Sequence, residues 1–329
     1  GQTWETISPD LTAFEPDKQV ISGSPITRDI TGEEFYSTIY AIRESPVTAG
    51  VIWVGANDGP VHVTRDNGAS WQNVTPASLP KGGRVDAVEP SPHDAAKAYI
   101  AVLRYQLGDW RPYLYRTNDY GKSWTLLSGP NSGIPQDFPT RVVREDPERA
   151  GVLYAGTEYG MFLSMDDGQH WQSFQQNLPV TPITDIKIHQ GDLVLSTMGR
   201  GFWILDNLSV LHDEGLIALA DEPHLFAIPS TIRHRSPMGR SNGDHVEYPE
   251  PGVWIDYYVP KGNKAPVELQ VFGPDGEWIT TLASDSIKAS SELVENMALN
   301  QKEYLITKAL NAKPGLQRYR WDMQARGPW

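Results

Sequence analysis

The chain contains no cysteine, which removes disulfides, thiolate nucleophiles and cysteine-held metals from consideration. No apolar run reaches the roughly 18 residues that a membrane-crossing helix needs. Basic residues are few. The 28 Lys and Arg against 41 Asp and Glu give a net charge of −13, and such a surface repels nucleic-acid phosphates and anionic lipid. The 8 histidines include no His-Glu-x-x-His and no paired spacing, so no metal site is expected. Gly-x-Ser-x-Gly, P-loop and dinucleotide fingerprints are missing too, and no cofactor is expected.

What is present is aromatic and repetitive. With 39% apolar residues, 11 Trp, 14 Tyr and 8 Phe in 329 residues, the chain can bury a sizeable core of two domains or one large all-β unit. The pattern Ser/Thr-x-Asp-x-Gly-x-x-Trp occurs as Thr64, Asp66, Gly68, Trp71, as Thr117, Asp119, Gly121, Trp124, and as Ser164, Asp166, Gly168, Trp171. The aspartates at 66, 119 and 166 stand 53 and 47 residues apart, a period that signals stacked four-stranded units. An Asp ahead of a Gly offers an acceptor to nearby backbone N–H groups, and the Gly takes the positive φ of a tight hairpin. Before each turn runs a short apolar strand, "PVHV", "PYLY" or "MFL". Before that comes a near-continuous apolar run, "GVIWVGA", "KAYIAVL" or "GVLYAGT". Such runs suit strands covered on both faces. Each Trp is expected on the strand after its turn, packing beside the next unit.

The opening "GQTW" matches the Gly-x-x-Trp end of a further copy, whose Ser/Thr-x-Asp half is expected upstream. "LVLSTMGRGFWILDNL" is a degenerate copy in which Asp206 stands at the motif position without the Gly and Trp. Residues 1–215 are therefore expected to form about four units, the first incomplete at Gly1. The Pro-, Gly- and polar-rich stretch 216–251 reads as a linker. Residues 252–329 read as part of a β-sandwich, with "VELQVFGPDGEWITTL" a hairpin around Pro-Asp-Gly and "GLQRYRWDM" a further strand. Between them, "SSELVENMALNQKEYLITKAL" has helical apolar spacing at Leu293, Met297 and Tyr304.

The repeated motif resembles the Asp-box, or BNR repeat, of sialidases, sortilin-type receptors, xyloglucanases and photosystem II assembly factors. Most of the chain is similar to a bacterial sortilin-like, WD40/YVTN/BNR-like repeat family often labelled glycosyl hydrolase. The likeness is carried by "GVIWVGANDGPVHVTRDNGASW", "RVVREDPERAGVLYAGTEYGMFLSMDDG" and "GDLVLSTMGRGFWILDN". It implies an all-β fold: the C-terminal blades of an Asp-box β-propeller followed by a partial immunoglobulin-like β-sandwich. It also implies a longer, exported protein, periplasmic, cell-surface or extracellular, with further blades before Gly1. In that family the box lies on the outer rim, so its Asp, Gly and Trp are expected to be structural.

No catalytic set stands out. Sialidase chemistry needs three arginines around a carboxylate and a Tyr/Glu pair; Arg28, Arg104, Arg141, Arg144, Arg200 and Tyr36 beside Glu33 and Glu34 are the available residues, and the Arg-Ile-Pro signature is missing. For an inverting glycosidase, Asp29, Asp86, Asp109, Glu145, Glu158 and Asp185 are the candidate acids, and no spacing selects two. Exposed aromatic and Arg side chains in loops between strands are the usual partner anchors. "LRYQLGDWRPYLY", "TEYG" and "MGRG" occupy equivalent inter-strand positions and are expected to open on one face. The expected partner-binding residues are Arg28, Arg104, Tyr105, Trp110, Arg111, Glu158, Tyr159 and Arg200. The leading expectation is a non-catalytic module holding a protein or peptide partner. A glycoside hydrolase, with a glycan as ligand and part of its site elsewhere, is the alternative.

Overall fold

In a computed structural model of the chain, residues 3–19, 36–213, 222–231, 252–284, 306–308 and 310–323 are described. They divide into two compact units, Gly1–Asp206 and Asn207–Trp329.

The first unit is a row of antiparallel sheets, one per repeat. Sheet 1 holds β1 (Ile39–Glu44), β2 (Ile52–Ala56), β3 (Val61–Thr64) and β4 (Gln72–Asn73) in chain order. Sheet 2 holds β5 (Arg84–Pro90), β6 (Ala98–Leu103), β7 (Leu114–Thr117) and β8 (Thr125–Leu126). Sheet 3 holds β9 (Thr140–Glu145), β10 (Leu153–Thr157), β11 (Gly160–Ser164) and β12 (Gln172–Ser173). Sheet 4 has β13 (Ile183–His189), β14 (Asp192–Thr197) and β15 (Phe202–Leu205). The first strands β1, β5, β9 and β13 neighbour one another in turn. Consecutive meandering sheets joined along their innermost strands are propeller blades.

The apolar runs become the second strands, and their burial follows from being sandwiched. Every residue of β6 and β10 is buried. Between sheets 1 and 2, Trp53, Val61, Val63 and Val85 pack with Ile100, Val102, Tyr113 and Tyr115 in one apolar layer.

The turn motif closes identically three times. Thr64 Oγ1 donates to Asp66 Oδ1 at 2.7 Å and accepts the Gly68 N–H at 2.9 Å, while Asp66 Oδ1 accepts the Ser70 amide at 2.8 Å. Thr117, Asp119, Gly121 and Ser123 repeat these bonds, as do Ser164, Asp166, Gly168 and His170. The tryptophans correct one expectation. Each lies just before its outer strand and reaches back instead of forward, Trp124 and Trp171 to the preceding sheet and Trp71 to the segment around Ile7. The indole N–H groups of Trp71, Trp124 and Trp171 donate to the carbonyls of Ile7, Val74 and Leu127 at 2.8, 2.6 and 3.1 Å. Those acceptors stand three residues after Trp4, Trp71 and Trp124, so every Trp copy ends in the seat for the next. The glycines press on the same seats: a Cβ on Gly121 would lie 2.5 Å from Val74 Cβ, at a φ of +82°.

Among the described residues, the second unit has two three-stranded sheets. One comprises β16 (His224–Leu225), β17 (Val253–Val259) and β21 (Gly315–Trp321). The other comprises β18 (Glu268–Phe272), β19 (Trp278–Ala283) and β20 (Ile306–Lys308), with β20 parallel to β19. The Pro-Asp-Gly hairpin forms as expected, Phe272 opposite Trp278. Ile255, Tyr257, Val259, Leu282 and Leu310 make this unit's core. One difference falls in the stretch 216–251, read from composition as linker. His224 and Leu225 pair with Tyr258 and Tyr257, and Phe226 is fully buried beside them, because an aromatic there has a sheet to cover. Leu293, Met297 and Tyr304 lie outside the described residues.

Candidate functional site

Antiparallel pairing places the start of each inner strand beside the end of the second strand: Ile39 faces Ala56, Arg84 faces Leu103, Thr140 faces Thr157 and Ile183 faces Thr197. The loops from second to third strand thus share one end of their sheets with the inner-strand starts. The Asp-bearing turns, which follow the third strands, lie at the other end. At the loop end every inner strand is irregular. The register shifts across Tyr40, Asp86, Arg141 and Thr184, each the extra residue of a bulge, and a bulge re-aims its side chain.

Three of these positions, Tyr40, Asp86 and Arg141, belong to a chain of contacts across sheets 1 to 3, while Thr184 bonds to Ser196 within sheet 4. Arg84 binds Asp86 in a two-pronged pair and stacks over the Tyr40 ring, 4.5 Å from its centroid. Arg141 donates through Nε to Glu158 Oε1 at 2.6 Å, stands 3.8 Å from Asp86 Oδ2, and lies 6.0 Å over the Tyr105 ring. Thr140 Oγ1 ties the same strand to the Tyr113 backbone at 3.0 and 3.2 Å. Burial pushes the Asp86 carboxyl above the ordinary carboxylate range, against the pull of Arg84 and Arg141. Beside them, the Asp109 carboxylate binds Arg111, Tyr113 and Arg104. Hydrogen bonds from the Arg111 guanidinium lead in holding it well below the usual range.

The partner-binding residues expected from sequence divide into three groups. Arg104, Tyr105 and Glu158 meet at this end around Arg141, which was not among them, but Arg104 is not the exposed anchor expected of it. Its side chain is buried, and its Nη1 donates to the carbonyls of Pro80, Lys81 and Gly82. Trp110, 48% exposed, packs on Tyr105 with ring centroids 5.8 Å apart, and exposed Tyr159 lies 4.7 Å from Phe138. Arg111 is tied to Asp109 from the surface. Arg200 is exposed in the equivalent loop of sheet 4, its amide on Thr197 Oγ1; no hydrogen bond or ion pair joins its side chain to the others among the described residues. Arg28, Asp29, Glu33 and Glu34 lie outside the described residues. Sequence reasoning missed Tyr40 and Thr184, since a bulge leaves no residue-type signature.

Three residues further along the inner strands, Arg43, Glu89, Arg144 and Lys187 line a basin of about 190 Å³ at the other end. Glu89 Oε2 stands 3.4 Å from Nη1 of both Arg43 and Arg144, and burial pushes its carboxyl up. Arg144 also pairs with Asp185 at 2.5 Å, and Glu145 accepts the Gly151 amide at 3.0 Å beside Lys97. These candidate acids are structural partners of bases. Among the described residues no group of three His, Asp or Glu could hold a metal, and no helix is long and apolar enough to cross a membrane.

No protein-family model and no curated protein sequence matches the chain. Solved structures it is similar to include YCF48 bound to D1 peptide. That pair is 15% identical over 74% of this chain and 68% of the other, with a TM-score of 0.40. YCF48 from Cyanidioschyzon merolae is 15% identical over 72% of this chain and 66% of that one, at 0.37. The GH74 xyloglucanase from Xanthomonas campestris is 13% identical over 88% of this chain and 48% of that one, at 0.40. The chain thus spans about half of that xyloglucanase and about two thirds of YCF48. Likenesses this slight add nothing to what the sheets themselves show.

Proposed function

We propose that the chain is part of an exported Asp-box propeller of the bacterial sortilin-like kind, followed along the chain by an immunoglobulin-like unit, and that its loop end holds a polypeptide partner without catalysis. The observation that carries this reading is how the loop end is divided. Asp86, Asp109 and Glu158, the acids a hydrolase would use there, are each bonded to arginine. A carboxylate held in that way is a poor base or nucleophile. Above them Tyr40, Leu107, Trp110 and Tyr159 remain exposed, and aromatic anchors over a rigid polar floor are what a protein interface uses. The repeated box hydrogen bonds support the family reading, because they stiffen the turns and leave no free carboxylate in them.

One feature favours the glycoside hydrolase alternative: Asp86 has the buried, raised carboxyl that a general acid needs. Two measurements separate the readings. A photo-reactive benzoylphenylalanine at Trp110 or Tyr159 is expected to yield polypeptide adducts in the producing cells, whereas one at Gln169, in a box turn, is not. Equal adducts from all three sites, or release of sugar from xyloglucan or sialosides that Asp86→Asn or Glu158→Gln abolishes, would overturn the binding reading.

A further inference from the structure

Sheets 2 and 3 each have a sheet on either side, and their loop ends carry two aromatic pairs. On sheet 2, residues 104–113 join β6 to β7, a longer connection than its equivalents in sheets 1, 3 and 4. It brings Tyr105 and Trp110 together, ring centroids 5.8 Å apart. On sheet 3, Phe138 precedes β9, Tyr159 follows β10, and their centroids are 4.7 Å apart. The Arg141–Glu158 pair links the two. Its guanidinium lies 6.0 Å over the Tyr105 ring, and its carboxylate belongs to the residue before Tyr159.

The longer loop is braced from within. Arg104 holds three carbonyls beneath it, and Asp109 gathers Arg104, Arg111 and Tyr113. A surface fixed in this way gives up little freedom when a partner arrives. Leu107, Trp110 and Tyr159 stay exposed on it.

The bonding capacity left on this surface is one-sided. Asp86, Asp109 and Glu158 have their carboxylates on arginine. Among the described residues, no hydrogen bond takes up the Trp110 indole N–H or the hydroxyls of Tyr105 and Tyr159. An indole N–H can only donate, and a phenol can donate. Charge is closed as well. Arg84, Arg111 and Arg141 are matched one to one by Asp86, Asp109 and Glu158. Arg104 is buried, and exposed Lys81 is offset by exposed Asp137. The complementary ligand is therefore uncharged, rich in apolar rings and carbonyl acceptors, and poor in N–H donors. Proline has that make-up, a ring and a carbonyl without an N–H. A proline-rich segment forms a polyproline II helix without internal hydrogen bonds, so its carbonyls are available and its order precedes binding.

We infer that the polypeptide held at the loop end is a proline-rich segment in the polyproline II conformation. It lies across Trp110 and Tyr159, with carbonyls toward the indole N–H and the tyrosine hydroxyls. This rests on the binding reading of the loop end and names the chemistry of its partner.

The test is fluorescence anisotropy of fluorescein-labelled decaproline added to the 329-residue chain, beside a glycine-serine peptide of equal length. Decaproline is expected to bind and the glycine-serine peptide is not. Trp110→Ala and Tyr159→Ala, both at exposed positions, are expected to weaken binding about tenfold each with an unchanged melting temperature. Trp110→Phe keeps a ring without the N–H and is expected to fall between parent and Trp110→Ala. Gln169→Ala, in a box turn, is expected to bind like the parent. Raising salt from about 0.1 M to about 1 M is expected not to weaken the complex, since no ion pair forms in it. Four results would each overturn the inference: no binding of decaproline, equal binding of the glycine-serine peptide, no loss in either alanine variant, or binding of xyloglucan oligosaccharide in place of decaproline. If benzoylphenylalanine at Trp110 then still captures polypeptide, only the proline-rich assignment falls. If it captures none, the binding reading falls with it.

Discussion

At Asp119, Oδ1 accepts the Ser123 amide at 2.9 Å and Oδ2 the Ser123 hydroxyl at 2.6 Å. These bonds, the hydroxyl first, with a further one from Thr117, bring its carboxyl down to about 2. Asp66 reaches about 2 in the same way through Ser70 and then Thr64. An unfolded Asp titrates at about 3.9, so between these values the folded chain binds fewer protons than the unfolded one. The stability these turns contribute is therefore present above pH 4 and is lost as pH falls through about 2. Both carboxylates face solvent, which keeps the effect small. Urea unfolding followed by tryptophan fluorescence is expected to show stability rising from pH 2 to 4, and Asp66→Asn with Asp119→Asn to flatten that rise. An unchanged slope would remove the turns from the acid response. The residue types of these turns announced this role, since Asp before Gly has one common use. The side chains at the loop end announced nothing comparable. Arg104 looks like a surface anchor in sequence, and only the three carbonyls converging on it reveal a buried brace.

The seam between two sheets couples a hydrogen bond to a packing contact, and the two can be separated. Trp124 donates to Val74 at 2.6 Å and meets Trp53 edge to face at 6.2 Å. Trp124→Phe keeps an aromatic ring and strands the Val74 carbonyl, and is expected to cost about 1 kcal/mol. Trp124→Ala also empties the seam and is expected to cost about 3 kcal/mol. Guanidinium unfolding midpoints check both values; equal costs would show that the ring itself contributes nothing. The strands of this seam could be read in advance because sandwiched sheets demand continuous apolar runs. The seam's direction could not, since spacing along the chain is the same whether a Trp leans forward or back. Bulges were equally silent. Tyr40, Asp86, Arg141 and Thr184 are four different residue types that share only a backbone irregularity. A second repeat was legible and was passed over. Ser45-Pro46, Ser91-Pro92 and Asp146-Pro147 end the first three inner strands, where the Ser or Asp oxygen caps the following turn.

Across the row of sheets, each contacts its neighbours and few residues beyond them, so damage should travel by position. Gly68 and Gly121 do the same work at different places. A Cβ on Gly68 would meet the Ile7 carbonyl at 2.8 Å, at a φ of +90°, while one on Gly121 would meet Val74 between sheets 1 and 2. Gly68→Val therefore attacks only the attachment of residues 3–19. Gly121→Val attacks a seam with a complete sheet on either side. Hydrogen exchange should distinguish them. In Gly68→Val, amides of Leu11 and its neighbours are expected to lose protection while β6, β10 and β14 keep theirs. In Gly121→Val, β2 and β6 are expected to lose protection together, with β14 least affected. Equal loss across all four sheets in both variants would mean that the row melts as one cooperative body. The turn motif would then act through global stability and not through the seam it closes.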